Sequence, residues 1–355
     1  MSNMAEKLQI DAPAELDITT APDESPDAAD LSSPRSLLDR LRSRSALLVG
    51  FGTLALVGAG VSKAALETHQ TRSATTELAA TNHNHEQFAS KPSWSQDFSK
   101  MPDGPLSPAK WHFVIGPAAR FSGNGDKEFY RKKPANARVE DGALVLEAQK
   151  QNFKGYNYTS ARIQTQDTLD FKYGKLDVVA KTPKGRGSWP AIWMLSSDHK
   201  YTKHAHNTHE DPYFWLRDGE IDLLEAVGMQ PGVYETVAQS YEYHWPKSRF
   251  AYVKDPSISD KFHEYSLEWT PKKLVFLLDN KPVYEVDKHK GDTFKQWPYD
   301  QRFHLVMDLA VGGSWAGQRG IDNTSLPWEM KIKSVNYYKY ISGKQTEHKK
   351  HKHTR

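Results

Sequence analysis

The chain contains no cysteine. Disulfides, thiolate metal centres and a cysteine nucleophile are thereby excluded. It also has little net charge, +3 over 355 residues, so nothing draws it in bulk toward nucleic acid. No long stretch carries helical periodicity, and there is no internal repeat. Aromatic residues, by contrast, are plentiful, with 10 Trp and 16 Tyr. Their flat apolar faces with a polar edge suit sugar rings as well as protein cores.

Composition shifts divide the chain into five parts. Residues 1–45 carry eight acids before residue 33 against Lys7 alone, and few large apolar groups. Such a segment cannot bury enough surface to order itself and is expected to be a disordered tail. Residues 46–66 are led by "ALLVGFGTLALVGAGV", an uncharged run that approaches the ~20 residues a bilayer needs. Arg40, Arg42 and Arg44 before it and Lys63 within it predict a single membrane-anchoring helix with the N-terminus inside. The alternative is a secreted protein whose signal core is cleaved near "SKAA". Both place the rest of the chain outside the cytoplasm. Residues 67–91 read as a polar stalk, and 342–355 as a solvated basic tail rich in His and Lys. Between them, 92–341 holds many short β-rich runs punctuated by turns such as "EDG" at 140–142, "PKGRG" at 183–187 and "LDNKP" at 278–282. This pattern predicts an all-β fold, a sandwich of two curved antiparallel sheets.

Within it, "RDGEIDLLEAVG", residues 217–228, places Glu220, Asp222 and Glu225 in a run that otherwise reads as buried strand. Side chains alternate faces along a strand, so Glu220 and Asp222 share one face and Ile221 and Leu223 the other. Strict alternation would then aim Leu224 at solvent and Glu225 into the core, where an unpaired carboxylate costs several kcal/mol. A β-bulge at Leu223–Leu224 repairs both errors and returns Glu225 to its fellow acids on one exposed face. Like charges this close push pKa values apart, leaving one carboxylate ionised and another protonated. That is the equipment for glycoside hydrolysis: a nucleophile for the anomeric carbon and an acid for the leaving oxygen.

Five blocks in order carry a resemblance to glycoside hydrolase family 16: "GNGDKEFYRKKPANARVEDGALVLEAQK", "YTSARIQTQDTLDFKYGKLDVVAKTPKGRGSWPAIWMLSSD", "GEIDLLEAVG", "HEYSLEWTPKKLVFLLDNKPVY" and "FHLVMDLAVGGSWAG". The resemblance implies a jelly roll with a substrate groove, Glu220 as nucleophile, Glu225 as general acid/base and Asp222 as the assisting residue. The bulged E-x-D-x-x-E pattern is similar to the laminarinase and agarase branches. "WPAIWML" and "GGSWAG" favour a retaining endo-β-1,3-glucanase acting by double displacement on laminarin-type or mixed-linkage glucan. The alternatives are a transglycosylase or other polysaccharide-processing enzyme of the same fold, or a non-catalytic glucan-binding module. No cofactor is implied, a structural calcium is compatible with the family, and the chain is expected to act as a monomer.

Candidate substrate-binding residues follow. Trp189 and Trp193 are four apart and share a strand face, open either to sugar or to the core. Trp315 lies in a Gly-rich loop and Trp215 just before the acids; both are candidate sugar platforms. Asn157 and Arg162 match polar groove residues of the family, though Arg162 has the plainer alternative of pairing a surface acid. Laminarinase-like members carry His on the strand after the acids, where this chain reads "ETVAQSYEYHWP". Ala238 and Glu242 fall near those positions, and His244 is expected to share a strand face with Glu242. An insert at 199–215 carries His199, His204, His206 and His209 at spacings that fit no rigid element, so a loop beside the groove is expected and no metal site.

Overall fold

The computed structural model describes residues 87–205 and 211–341. Residues 1–45, the apolar run at 46–66, most of the expected stalk and the tail at 342–355 lie outside them. Among the described residues no helix is long and apolar enough to cross a membrane.

Two β-sheets make up the fold, as the alternating runs predict. One has seven strands in the order Arg249–Lys254, Val233–Gln239, Glu220–Ala226, Ser188–Ser196, Phe303–Val311, Arg162–Gln164 and His112–Val114. Every pairing in it is antiparallel. The other has twelve strands, with Gly174–Lys181 and Trp328–Lys339 at its centre. Its pairings depart from the expected pattern once, where Glu128–Tyr130 runs parallel to Tyr156–Ser160. Among the described residues, helix is confined to short turns such as Ala119–Ser122, Phe214–Arg217 and Gly313–Ala316.

The turn residues act as their chemistry dictates. Asp141 and Gly142 take φ of 52° and 70°, and Asp279 and Asn280 take 50° and 63°. Positive φ at both central positions is what a tight two-residue hairpin requires. The folded part also begins before residue 92. Phe88 bridges to Tyr340, just past the last strand, and buries its ring edge-on against it, so the predicted stalk ends early.

The core lies between the sheets. Tyr234 of the seven-stranded sheet meets Tyr265 of the other edge to face at 5.3 Å, and Trp269 meets Phe303 in the same way at 5.5 Å. Trp111, Trp269, Trp297 and Trp328 are fully buried, so much of the aromatic wealth serves the core rather than a sugar. One close approach fixes the end of the site-bearing sheet. A Cβ on Gly228 would lie 1.6 Å from the carbonyl oxygen of Gly185, and one on Gly185 would lie 2.2 Å from Trp328 Nε1. Gly228 N donates to Ser188 O at 2.9 Å, which ties the 183–187 turn to the end of the strand bearing the acids.

Burial also encloses one acid that no cation accompanies closely enough to keep it ionised. Glu128 is fully buried; one carboxylate oxygen accepts from Val311 N at 2.8 Å and the other has no partner. Burial pushes this carboxyl well above the usual range, and the charge of Asp126 adds to the push. Its folded-state pKa exceeds its unfolded value, so its stabilising contribution is complete below ~pH 4.3 and is lost as pH rises through the folded pKa. Glu128→Gln is expected to raise the melting temperature at pH 8 by about 2–4 °C, and to leave it unchanged near pH 4. Calorimetry at the two pH values checks this; an equal effect at both would place the cause in packing rather than charge.

Candidate active site

The predicted bulge is present. Asp222 pairs with Val237 and Glu225 with Glu235, so Leu223 and Leu224 together oppose Thr236. Thr236 Oγ1 donates to Asp222 O at 2.8 Å inside this irregular step. Ile221, Leu223, Leu224 and Ala226 all join the hydrophobic core. The acids are therefore left together on the opposite face. That face is less open than expected: Glu220 and Asp222 are buried and Glu225 is half-buried. Neighbouring strands and their side chains close around them, so the acids line the floor of a groove rather than an exposed surface.

Register defines what shares this floor, because directly opposed residues point the same way. One row runs Glu235, Glu225, Ala191, Asp308, Arg162. A second runs Val237, Asp222, Trp193, Val306, Gln164. A third runs Gln239, Glu220, Leu195, His304. Neutral donors hold the acids in place. Gln239 Nε2 donates to Glu220 Oε1 at 2.7 Å and to Asp222 Oδ2 at 3.3 Å. Trp189 Nε1 donates to Glu225 Oε1 at 3.1 Å. Trp193 Nε1 donates to Asp308 Oδ1 at 2.7 Å, and Tyr130 OH to Asp308 Oδ2 at 3.1 Å.

Electrostatics follows from this packing. Burial is the main cause that pushes Glu220, Asp222 and Glu225 well above the usual carboxylate range. The charge of Glu225 adds to the push on Glu220, that of Glu220 to Asp222, and those of Asp222 and Glu235 to Glu225. The three cannot all ionise at neutral pH, so they titrate as a set that retains protons. Arg162 is the opposing charge. It is buried, lies over the Trp193 ring at 4.6 Å, and lowers both Glu220 and Asp308. His304, pushed down to about 4 by burial, stays neutral beside them. Two carboxylates held in different environments on one floor, one with a cation near it, can divide the roles of nucleophile and acid.

The other predicted residues fall at different distances from this centre. Trp189 and Trp193 both turn their indole N–H groups to carboxylates, and Trp315 packs edge-on against Trp189 at 5.3 Å. Trp215 is exposed in the short turn just before the acids. Asn157 is exposed on a strand of the other sheet, and no described contact joins it to the acids. Glu242 and His244 do not share a strand face: the strand ends at Gln239. The chain then turns, with Ser240 N donating to Tyr243 O at 2.9 Å. Glu242 is exposed, and His244 packs on Tyr213 at 3.8 Å. Ala238 points into the core, and the residue that faces Glu220 is Gln239. His199 pairs with Asp218 at 3.6 Å, which raises its pKa, while His206 and His209 lie outside the described residues. Among the described residues no group of three or more His, Cys, Asp and Glu side chains is placed to hold a metal ion.

Asp308, Glu235 and Gln239 were not singled out by the sequence pattern. Asp308 is a lone acid in "FHLVMDLAV", a strand buried along its whole length, and that isolation was its available signal.

Residues 125–333 match the family model described as Glycosyl hydrolases family 16. The chain is 34% identical over 257 residues to a β-glucanase of Rhodothermus marinus, covering 70% of this chain and 85% of that protein. The solved laminarinase of Rhodothermus marinus superimposes with a TM-score of 0.65 at 32% identity, over 72% of this chain and 99% of that one. A mutant of SCLam, a non-specific endo-β-1,3(4)-glucanase solved with a glucan oligosaccharide at its active site, gives 0.63 at 28% identity, over 71% and 96%.

Arg162 generates a prediction with a defined sign. Its charge lowers the Glu220 pKa. Arg162→Met keeps the apolar stem and removes the charge, so Glu220 binds its proton more tightly. The acidic limb of the kcat/KM–pH profile is expected to move to higher pH. A limb that stays in place would show that Glu220 does not feel this guanidinium.

Proposed function

Because the chain belongs to glycosyl hydrolases family 16, we propose that it is a retaining endo-β-1,3-glucanase, acting on laminarin-type glucan with Glu220 as nucleophile. Glu220 attacks the anomeric carbon while Glu225 gives its proton to the departing glycosidic oxygen. Water then cleaves the glycosyl-enzyme ester, losing its proton to Glu225, so the product keeps the β configuration. Asp222 retains a proton beside Glu220 and so allows Glu220 to ionise. Gln239 holds both groups from the neighbouring strand. The observation that carries this reading is the bulge, which brings Glu225 onto the floor occupied by Glu220 and Asp222. The substrate class is supported by the glucanase names of the relatives.

The test uses Glu220→Gln and Glu225→Gln in the full chain. Each is expected to lower laminarin hydrolysis by at least about 10²-fold with an unchanged circular dichroism spectrum. Proton NMR of the first products is expected to show the β anomer. Near wild-type turnover in either variant, or first products in the α form, would remove these assignments.

The same proposal places the catalytic part outside the cytoplasm, held at the membrane by the run at 46–66 with the N-terminus inside. Its support is the length of that run and the arginines before it. In a bacterial host the full chain is expected to stay in the membrane pellet through an alkaline wash. A C-terminal epitope is expected to be cut when protease is added to intact spheroplasts. Recovery of the whole uncut chain in the cytoplasmic fraction would overturn this placement.

A further inference from the structure

Phe250 and Tyr252 lie on the edge strand Arg249–Lys254, two strands beyond the acids. Register puts both on the groove face: Phe250 opposes Val237 in the row of Asp222, and Tyr252 opposes Glu235 in the row of Glu225. Exposure along this strand alternates, with Phe250 at 39% and Tyr252 at 57%, while Val253 packs against the core. The two rings meet edge to face at 5.1 Å and 83°. An aromatic pair left in water on a face whose rows run through Val237 and Glu235 to the acids is an unfilled contact surface.

The pair is also held in place. Tyr252 stands directly opposite Glu235 on the strand that carries Gln239, and its ring is backed by that of Phe250. A ring fixed before binding loses less freedom when a partner stacks on it. Strand spacing of ~4.8 Å puts the edge strand ~10 Å from the acid-bearing strand, a span suited to a disaccharide lying across the sheet. At the opposite edge the same rows end at His112 and Val114, which line a depression of about 450 Å³. Between that edge and the acids the rows pass through Arg162 and Asp308, which are buried, with Tyr130 on Asp308, so the aromatic pair lies on the exposed side of the acids.

We propose that Phe250 and Tyr252 form a distal sugar-binding subsite that stacks on pyranose rings of a polysaccharide beyond the cleavage point. The proposal rests on the glycosidase reading of the acids. It makes the enzyme selective for long chains, because a short oligosaccharide seated over Glu220 and Glu225 does not reach the edge strand.

The experiment compares Phe250→Ala and Tyr252→Ala with the wild-type full chain on polymeric laminarin and on a β-1,3-linked disaccharide, which has one ring on each side of the cleavage point. The double variant is expected to lose about tenfold in kcat/KM on the polymer, from two weak aromatic contacts, and less than twofold on the disaccharide. Equal losses on both substrates, or no loss on the polymer, overturn the subsite. A change of oligomeric state in the variants, seen by analytical ultracentrifugation, also overturns it, because the pair would then be a protein contact. Affinity electrophoresis of Glu220→Gln with and without the aromatic changes gives a readout without turnover. If the wild-type chain cleaves no β-1,3-glucan, the proposed function falls, and retardation in laminarin, lichenan and agarose gels decides the subsite alone. Retardation lost with the aromatic pair supports it, and retardation unchanged or absent in every gel sinks it.

Discussion

One extra residue in one strand governs the site. Without the step at Leu223–Leu224, Glu225 would enter the core and Leu224 would enter the groove. Both errors are expensive, and both are removed by the same irregularity. The core keeps both leucines and the groove keeps all three acids. The core and the catalytic face thus impose one condition on the backbone, and satisfying the first satisfies the second.

The second constraint is dielectric. Carboxylates on the floor of a groove, partly hidden from water, repel one another strongly and hold protons that exposed acids would release. The protein does not neutralise them with a matching set of cations. Gln239, Trp189, Trp193 and Tyr130 supply neutral donors, and Arg162 supplies a positive charge from the row of Asp308. Neutral donors orient an acid without forcing it to ionise. A floor built this way keeps its protons available at a pH where surface carboxylates have none.

The sheet architecture and the acids were legible because both follow from alternation along a single strand. Ile221 against Asp222, and then Leu224 against Glu225, is a local contradiction with a local remedy. Asp308 and Glu235 become meaningful only when strands distant in sequence are set side by side, and register across strands is not written in any one of them. Glu242 and His244 were misplaced for a related reason. The β-rich composition continues past Gln239, while the backbone has already turned back on itself at Ser240. Many tryptophans were ambiguous because the same ring serves a core or a carbohydrate, and only burial separates Trp297 from Trp189.

Gly185 and Gly228 meet where two segments of backbone come within touching distance, with no room for a side chain on either. The contact sits at the point where Ser188 leads into Trp189 and where the strand of Glu225 ends. A methyl group on Gly228 would drive into the Gly185 carbonyl, and one on Gly185 into the buried Trp328 ring. Mutational drift at this spot is therefore closed, however favourable a larger residue would be elsewhere. Change of length is more easily borne by the exposed turn at 245–247, which lies away from this close approach.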